Sequence, residues 1–211
     1  TIRYTVNGLG VTSSSAVYTG PINIAQTTVL KVRVFSNNPT TLPSLHEFKT
    51  FFINETHLLP VVSVAGNDLL GLANGNKNLR PIGSIEYFNE NGLRTTEGYG
   101  ELNSHGQDSW VHPQRSLDWI TRDEMGYSNA LQEKLFPFSD RDKFQRIILR
   151  CEGDDNYPGN DSAAHMRDMY VHTICARAGM PLDVRKAAKC VVYLDGNYWG
   201  VWNCGIDCSP R

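Results

Sequence analysis

Cys190-Val191-Val192-Tyr193-Leu194 and Tyr198-Trp199-Gly200-Val201-Trp202 are runs of β-branched and aromatic residues, separated only by Asp195-Gly196-Asn197. Such runs suit the pleated, half-buried surface of a strand, and Asp-Gly tolerates the positive φ of a tight reversal. A β-hairpin is therefore predicted here. Working back along the chain, Phe144 to Arg150 predicts another strand, as does Ile82 to Phe88, which runs out at Asn91-Gly92. Leu58 to Val64 is continuously apolar apart from Pro60 and Ser63, the pattern of a strand covered on both faces. One helix is expected, from about Ser162 to Ala178. Met166, Met169, Tyr170, Thr173, Ile174 and Arg177 recur at three and four residues, Asp161 or Ser162 can cap it, and Gly179-Met180-Pro181 ends it.

The first 53 residues read as strands alone. Ile2 to Val6 runs into Asn7-Gly8, a hairpin-turn signal. In Val29 to Phe35 the alternation places Leu30, Val32 and Val34 on an inner face and Lys31 and Arg33 on an outer one. Leu45 to Ile53 continues in the same style, with turns supplied by the Ser, Gly, Pro and Asn clusters between the runs.

Composition narrows the function classes. The chain has 211 residues, 40% hydrophobic and 20% charged, enough for one or two ordinary cores. A formal net charge of −2 without a run of like charges gives nucleic acid or an anionic membrane nothing to grip. No stretch reaches the roughly 18 apolar residues of a membrane helix. Five cysteines fall in the last third, at 151, 175, 190, 204 and 208, and the odd count leaves at least one unpaired. Cys190, Cys204 and Cys208 are the disulfide candidates. A zinc site from these three and His172 lacks the usual Cys-x-x-Cys pair. Asn54-Glu55-Thr56 and Asn160-Asp161-Ser162 are acceptor sequons for N-glycosylation. P-loop, dinucleotide-fingerprint, zincin and nucleophile-elbow motifs are all missing, which removes those enzyme classes.

Ile2-Arg3-Tyr4-Thr5-Val6-Asn7-Gly8, with Thr12, Ser15 and Tyr18-Thr19-Gly20-Pro21-Ile22, resembles the signature of chitobiase C-terminal-type β-sandwich modules. The resemblance implies a spacer or accessory domain whose sheet begins one partner short, so that Thr1 is not expected to be a native start. It also raises carbohydrate as a partner if Tyr4 and Tyr18 are exposed; burial in a core is the expected alternative.

From residue 57 onward the order of blocks resembles the CotH kinase family, relatives of the spore coat protein H. The blocks are Leu59-Pro60-Val61-Val62-Ser63, Ile85-Glu86-Tyr87-Phe88, His105-Gly106 with Ser109, Pro113-Gln114-Arg115-Ser116-Leu117, Leu135-Phe136-Pro137, Leu149-Arg150, Arg167-Asp168, and Leu194 to Val201. Members of that family resemble secreted protein kinases that use ATP and a divalent ion, so the resemblance implies ATP with Mg or Mn in the intact parent. Phosphoryl transfer needs a cation on the phosphates and carboxylates for the metal. Arg115 stands where the family has lysine, and with His105 and Ser109 it forms the expected phosphate-contacting set; Trp110 replaces a further basic residue. Arg115 in a surface salt bridge and His105 as a hydrogen-bonded structural residue are the competing expectations. Asp154 and Asp155 are the metal candidates, or else solvated loop acids. Arg167-Asp168 is expected to knit helix to sheet.

Relatives continue past the Trp-Gly-Val hairpin with an Arg-Glu pair and a long C-terminal part that carries the metal-binding and catalytic aspartates, and this chain stops at Arg211. The expectation is therefore an α+β chain: a partial Ig-like all-β module over 1–56, then over 57–211 the front part of an atypical protein-kinase-like domain, mainly antiparallel sheet plus one main helix. Its expected role is that of a secreted structural or surface-assembly module that partners other protein chains and is not catalytic alone. The alternative is part of a secreted ATP-dependent kinase.

Overall fold

The structure is a computed structural model and describes residues 1–123, 126, 129–136, 139–156 and 162–206, without the side chain of Ser109. Its elements are β1 (Ile2–Thr5), β2 (Ala16–Val17), β3 (Thr28–Val34), β4 (Glu47–Phe51), β5 (Val61–Gly66), α1 (Leu69–Ala73), β6 (Ile82–Phe88), β7 (Arg94–Ser104), β8 (Leu117–Thr121), β9 (Leu131–Gln132), β10 (Lys143–Phe144), β11 (Arg146–Arg150), α2 (Arg167–Arg177), β12 (Lys186–Leu194) and β13 (Asn197–Ile206), with a 3-10 turn at Asp108–Val111. The described chain is mostly β.

The first four strands form a sheet in the order β2-β1-β3-β4, antiparallel throughout. Asn7-Gly8 does reverse the chain, with Gly8 at φ 78°. The strand that pairs with β1 comes only at Ala16–Val17, however, so the opening turn is wide and not a two-residue hairpin. Lys31 overturns the expected facing of β3. Val29 and Lys31 are buried, Leu30 and Val32 only half so, and Val34 is exposed. The inward face of β3 is the one that meets the rest of the protein, and the Lys31 ammonium crosses to the Ala65 carbonyl at 2.7 Å.

The remaining long strands close into a seven-stranded barrel, β11-β13-β12-β5-β6-β7-β8, a closure that the expected mainly antiparallel sheet did not specify. Closure comes from β11, which pairs β13 on one side and β8 on the other. Every pairing is antiparallel except β12 with β5. The β12–β13 hairpin forms where the sequence puts it and extends well beyond both predicted runs. Closing seven strands forces backbones together at the bends. At Gly83 a Cβ would collide with the Ala65 carbonyl, and at Gly100 with that of Ile120, so both positions exclude a side chain.

Inside the barrel lie Trp119 and Trp202 with Leu102, Leu117, Leu149, Val192, Cys190 and Cys204, all buried. Phe136 and Phe144 pack edge to face at 5.1 Å and join this core. The interior is filled with side chains, and α1 covers it through Leu69, Leu72 and Ala73.

Helix α2 begins at Arg167, later than expected, and buries no residue. Met166, Tyr170 and Ile174, expected to face a core, are exposed at 48%, 60% and 45%. The helix is held to the barrel on its polar side. Asp168 receives Arg150 of β11 at 2.8 Å and Arg185 at 3.4 Å, so that charge-assisted bonds join helix to sheet. Asp161 lies outside the described residues. Asp155 caps the helix: its two carboxylate oxygens accept the N–H groups of Ala164 (2.8 Å), Met166 (3.0 Å) and Arg167 (3.0 Å).

The four-stranded sheet is joined to the barrel by polar contacts, of which those of Thr50 are buried. Thr50 meets Ser63 at 2.8 Å and donates to Glu86 at 2.5 Å, and Arg94 donates to the Phe48 carbonyl at 2.8 Å. Tyr193 donates to Glu55 and meets His57 at 2.8 Å, while Gly10 donates to Asn67 at 2.8 Å.

Candidate functional site

Each residue expected to serve phosphoryl transfer can now be placed. Arg115 precedes β8 and donates to three main-chain carbonyls, those of Trp110 (2.9 Å), Ala73 (3.2 Å) and Pro113 (3.2 Å). Its guanidinium also lies 5.9 Å from the Trp110 ring centroid. The cation fastens α1 to the turn before β8 through main-chain carbonyls. Trp110 is buried and donates to the His105 carbonyl at 2.8 Å. His105 sets its Nδ1 3.2 Å from Asp118, whose other oxygen accepts from Arg146 at 2.7 Å, giving an oriented imidazole on the barrel wall. The side chain of Ser109 lies outside the described residues.

Asp154 and Asp155, expected as a metal pair, diverge. Asp154 is exposed, with His112 at 3.3 Å. Asp155 points inward to cap α2; burial acts to raise its pKa, but the three N–H donors and the Arg167 guanidinium outweigh burial and hold the carboxyl below the ordinary range. Among the described residues no group of three His, Cys, Asp or Glu side chains is placed to hold a metal ion.

The cysteines are also resolved in part. Cys190 and Cys204 are free and buried inside the barrel. Cys190 stands opposite Trp202 and Cys204 opposite Ala188, so the two thiols lie on a diagonal of the hairpin. The Cys190 thiol beside it, then burial, push the Cys204 thiol well above its usual pKa, the behaviour of an inert core thiol. Cys208 and Asn160 lie outside the described residues. Asn54 is exposed in a left-handed turn at φ 57°. Tyr18 is exposed at 44%, and Tyr4 is half-buried.

A cluster of buried charged and polar groups lies beneath α2. Arg150 of β11 stands beside Asn203 of β13, which stands beside Lys189 of β12, and all three project from the outer wall because the intervening Leu149, Cys190 and Cys204 fill the core. Past the end of β11, Glu152 takes φ 66° and Gly153 φ 57°, which swings the Glu152 carboxylate under the helix. A non-glycine residue in that region costs about 1–3 kcal/mol and survives only where its surroundings hold it. Glu152 and Asn203 are 3% and 2% exposed and line a cavity of about 30 Å³ together with Ile148, Met169, His172 and Ala187. Both oxygens of Glu152, both polar atoms of Asn203 and the Nε of Arg150 are buried without a hydrogen-bond partner. Burial raises the Glu152 pKa against the pull of Lys189 and Arg150. Burial lowers that of Lys189, although Glu152 draws it up, and its ammonium donates to the His165 carbonyl. Two groups pushed toward neutrality from opposite sides, beside a cavity lined by unpartnered polar atoms, make this the candidate site.

Sequence reasoning noticed the loop and singled out Asp154 and Asp155, while Glu152 was not chosen. Asp154-Asp155 drew attention as a doublet, whereas Glu152, two residues beyond the predicted strand and followed by glycine, is the one directed into the cavity. That glycine was the available signal.

Residues 1–44 match the model of the chitobiase/beta-hexosaminidase C-terminal domain, in agreement with the all-β sheet that these residues form. No curated protein matches the chain.

Proposed function

We propose that this chain is a non-catalytic structural module of an extracellular CotH-like protein, built to hold other chains at a surface. The carrying observation is Arg115: the cation on which nucleotide phosphates would depend gives its hydrogen bonds to three main-chain carbonyls. Three further features support the reading. Asp155 is committed to capping α2, the β-module is fastened to the barrel through buried polar bonds, and α2 presents exposed Met166, Tyr170 and Ile174. Contiguous exposed apolar residues on a helix suit protein partners. Exposed Tyr18 leaves carbohydrate as a lesser partner class.

The experiment is a thermal-shift titration with ATP and Mg²⁺ or Mn²⁺. A structural module keeps its Tm, whereas nucleotide at a hundred times its Kd would add about 2.7 kcal/mol of stability. A saturable shift that Arg115→Ala removes sinks the proposal.

The second reading is a section of a secreted ATP-dependent protein kinase whose metal-binding aspartates lie beyond residue 211. One observation favours it: Asp168 on α2 pairs with Arg150 on a strand, and an acid–base pair between helix and sheet is what kinase-like catalysis requires to align phosphates.

A further inference from the structure

We propose that the cleft between α2 and the outer wall of β11, β13 and β12 binds a carboxylate carried on a short aliphatic stem. The cleft does not include Arg115, His105 or Ser109, and the inference does not depend on whether the chain is a structural module.

Charge gives the sign of the ligand. Arg150, Arg185 and Lys186 line the cleft against Glu152 and Asp168, three formal positive charges to two negative, and Lys189 and Asp155 act on Glu152 from beside it. Asp168 is already shared by two arginines, so it offers little to an incoming cation. A metal ion is also disfavoured, since no set of three ligating His, Cys, Asp or Glu side chains occurs among the described residues.

The unpartnered atoms give the chemistry. Arg150 Nε and Asn203 Nδ2 are donors buried without acceptors, and an unsatisfied charged donor is the costliest of the set. One oxyanion satisfies both. Glu152, when it carries its proton, adds an O–H donor to the same oxyanion, an O–H···O⁻ bond of the short, strong kind. Around these donors Ile148, Met169, Ala187 and Ile206 form an apolar wall, and about 30 Å³ admits little more than the head of a ligand. A carboxylate with one to three carbons behind it meets each condition.

The proton requirement makes binding depend on pH. Glu152 faces Arg150 from β11, Lys189 from β12, Asp168 from α2 and Asp155 from its own loop; the cations lower its pKa, the acids raise it, and burial raises it most. Affinity should hold while Glu152 is protonated, then fall about tenfold per pH unit once it ionises.

The test is a thermal-shift and calorimetric titration of the whole chain in carboxylate-free buffer, at a lower pH of about 5 and a higher pH of about 9, both above the ordinary glutamate value of about 4.3. The probes are acetate, propionate, an N-acetylated dipeptide with a free C-terminal carboxylate, and the same dipeptide as its C-terminal amide. The expected result is a saturable rise in Tm with carboxylates at the lower pH, a weaker one at the higher pH and none with the amide. A response to the small acids alone identifies a free acid as ligand; a response to the dipeptide acid identifies the carboxyl end of another chain. Asn203→Leu should abolish the shift while leaving the ligand-free Tm equal or higher, because an unsatisfied buried amide is removed. Glu152→Gln should keep binding and erase its pH dependence. Absence of any carboxylate shift, equal binding of the amide, or an undiminished shift in Asn203→Leu overturns the proposal.

Discussion

Lys31 offers a quantitative test of how the β-module meets the barrel. It is fully buried, its one hydrogen bond goes to the Ala65 carbonyl, and its ammonium lies 5.3 Å from the Tyr99 ring centroid. Burial lowers its pKa from 10.5 to about 7, although Asp195 and Glu86 pull it upward. In the unfolded chain the ordinary value returns. Between pH 7 and 10.5 the unfolded chain therefore binds the extra proton, and stability must rise with pH across that window. Integrated from pH 7 to about 8.5, with the native lysine half neutral at the start, the gain is about 1.6 kcal/mol. Asp195, raised to about 6 chiefly by burial, has finished titrating below this range, and His46, lowered by burial to about 4, has done so too. Lys189 adds a slope of the same sign, so the informative quantity is the difference between wild type and Lys31→Met. Urea unfolding at the two pH values should show the wild type gaining about 1.6 kcal/mol more than the variant. At pH 7 the variant should lie within about 1 kcal/mol of wild type, since the lost hydrogen bond offsets the removed desolvation. Equal pH slopes in the two proteins would refute the assignment of a buried, half-neutral lysine to this junction.

Three other expectations concern the rest of the fold. Asp155→Ala removes the acceptor of the N–H groups of Ala164, Met166 and Arg167 at the entry to α2 and should cost about 1–2 kcal/mol, with amide exchange rising first at the start of the helix. Trp119→Ala empties the middle of the barrel and should cost about 3–5 kcal/mol, measured by urea unfolding with an unchanged denaturant slope. Tyr193→Phe deletes the hydroxyl shared by Glu55 and His57 and should lower stability by about 1–3 kcal/mol; no loss would mean that these bonds do not tie the linker to the barrel.

How far the sequence could be read depended on whether the deciding contact was local. The β12–β13 hairpin was legible because Asp195-Gly196-Asn197 and the flanking apolar runs encode it within a few residues. The existence of β5, β6 and β11 was legible for the same reason. Barrel closure was not, because β8 with β11 and β5 with β12 pair through register between distant segments, and no turn announces them. Lys31 misled because alternation reports two faces without saying which one another part of the chain will cover. The helix misled in the same way: its apolar repeat was real, yet the ion pairs of Asp168 set which side faces the barrel. Arg115 was singled out as a phosphate contact, and the partners it has here are backbone carbonyls, which carry no side-chain signature.

The parallel pairing of β5 with β12 also sets an order of events during synthesis. Val61 waits for Val191, some 130 residues later, before its strand has a neighbour on that side. Until then β5 to β8 can form only an antiparallel meander with an open hydrophobic face and an unpaired edge at β5. Long-range pairings of this kind are slow and leave intermediates prone to association. The emerging chain should therefore need shielding until the last hairpin arrives, and lesions in β12 or β13 should appear first as poor yield and only then as altered function.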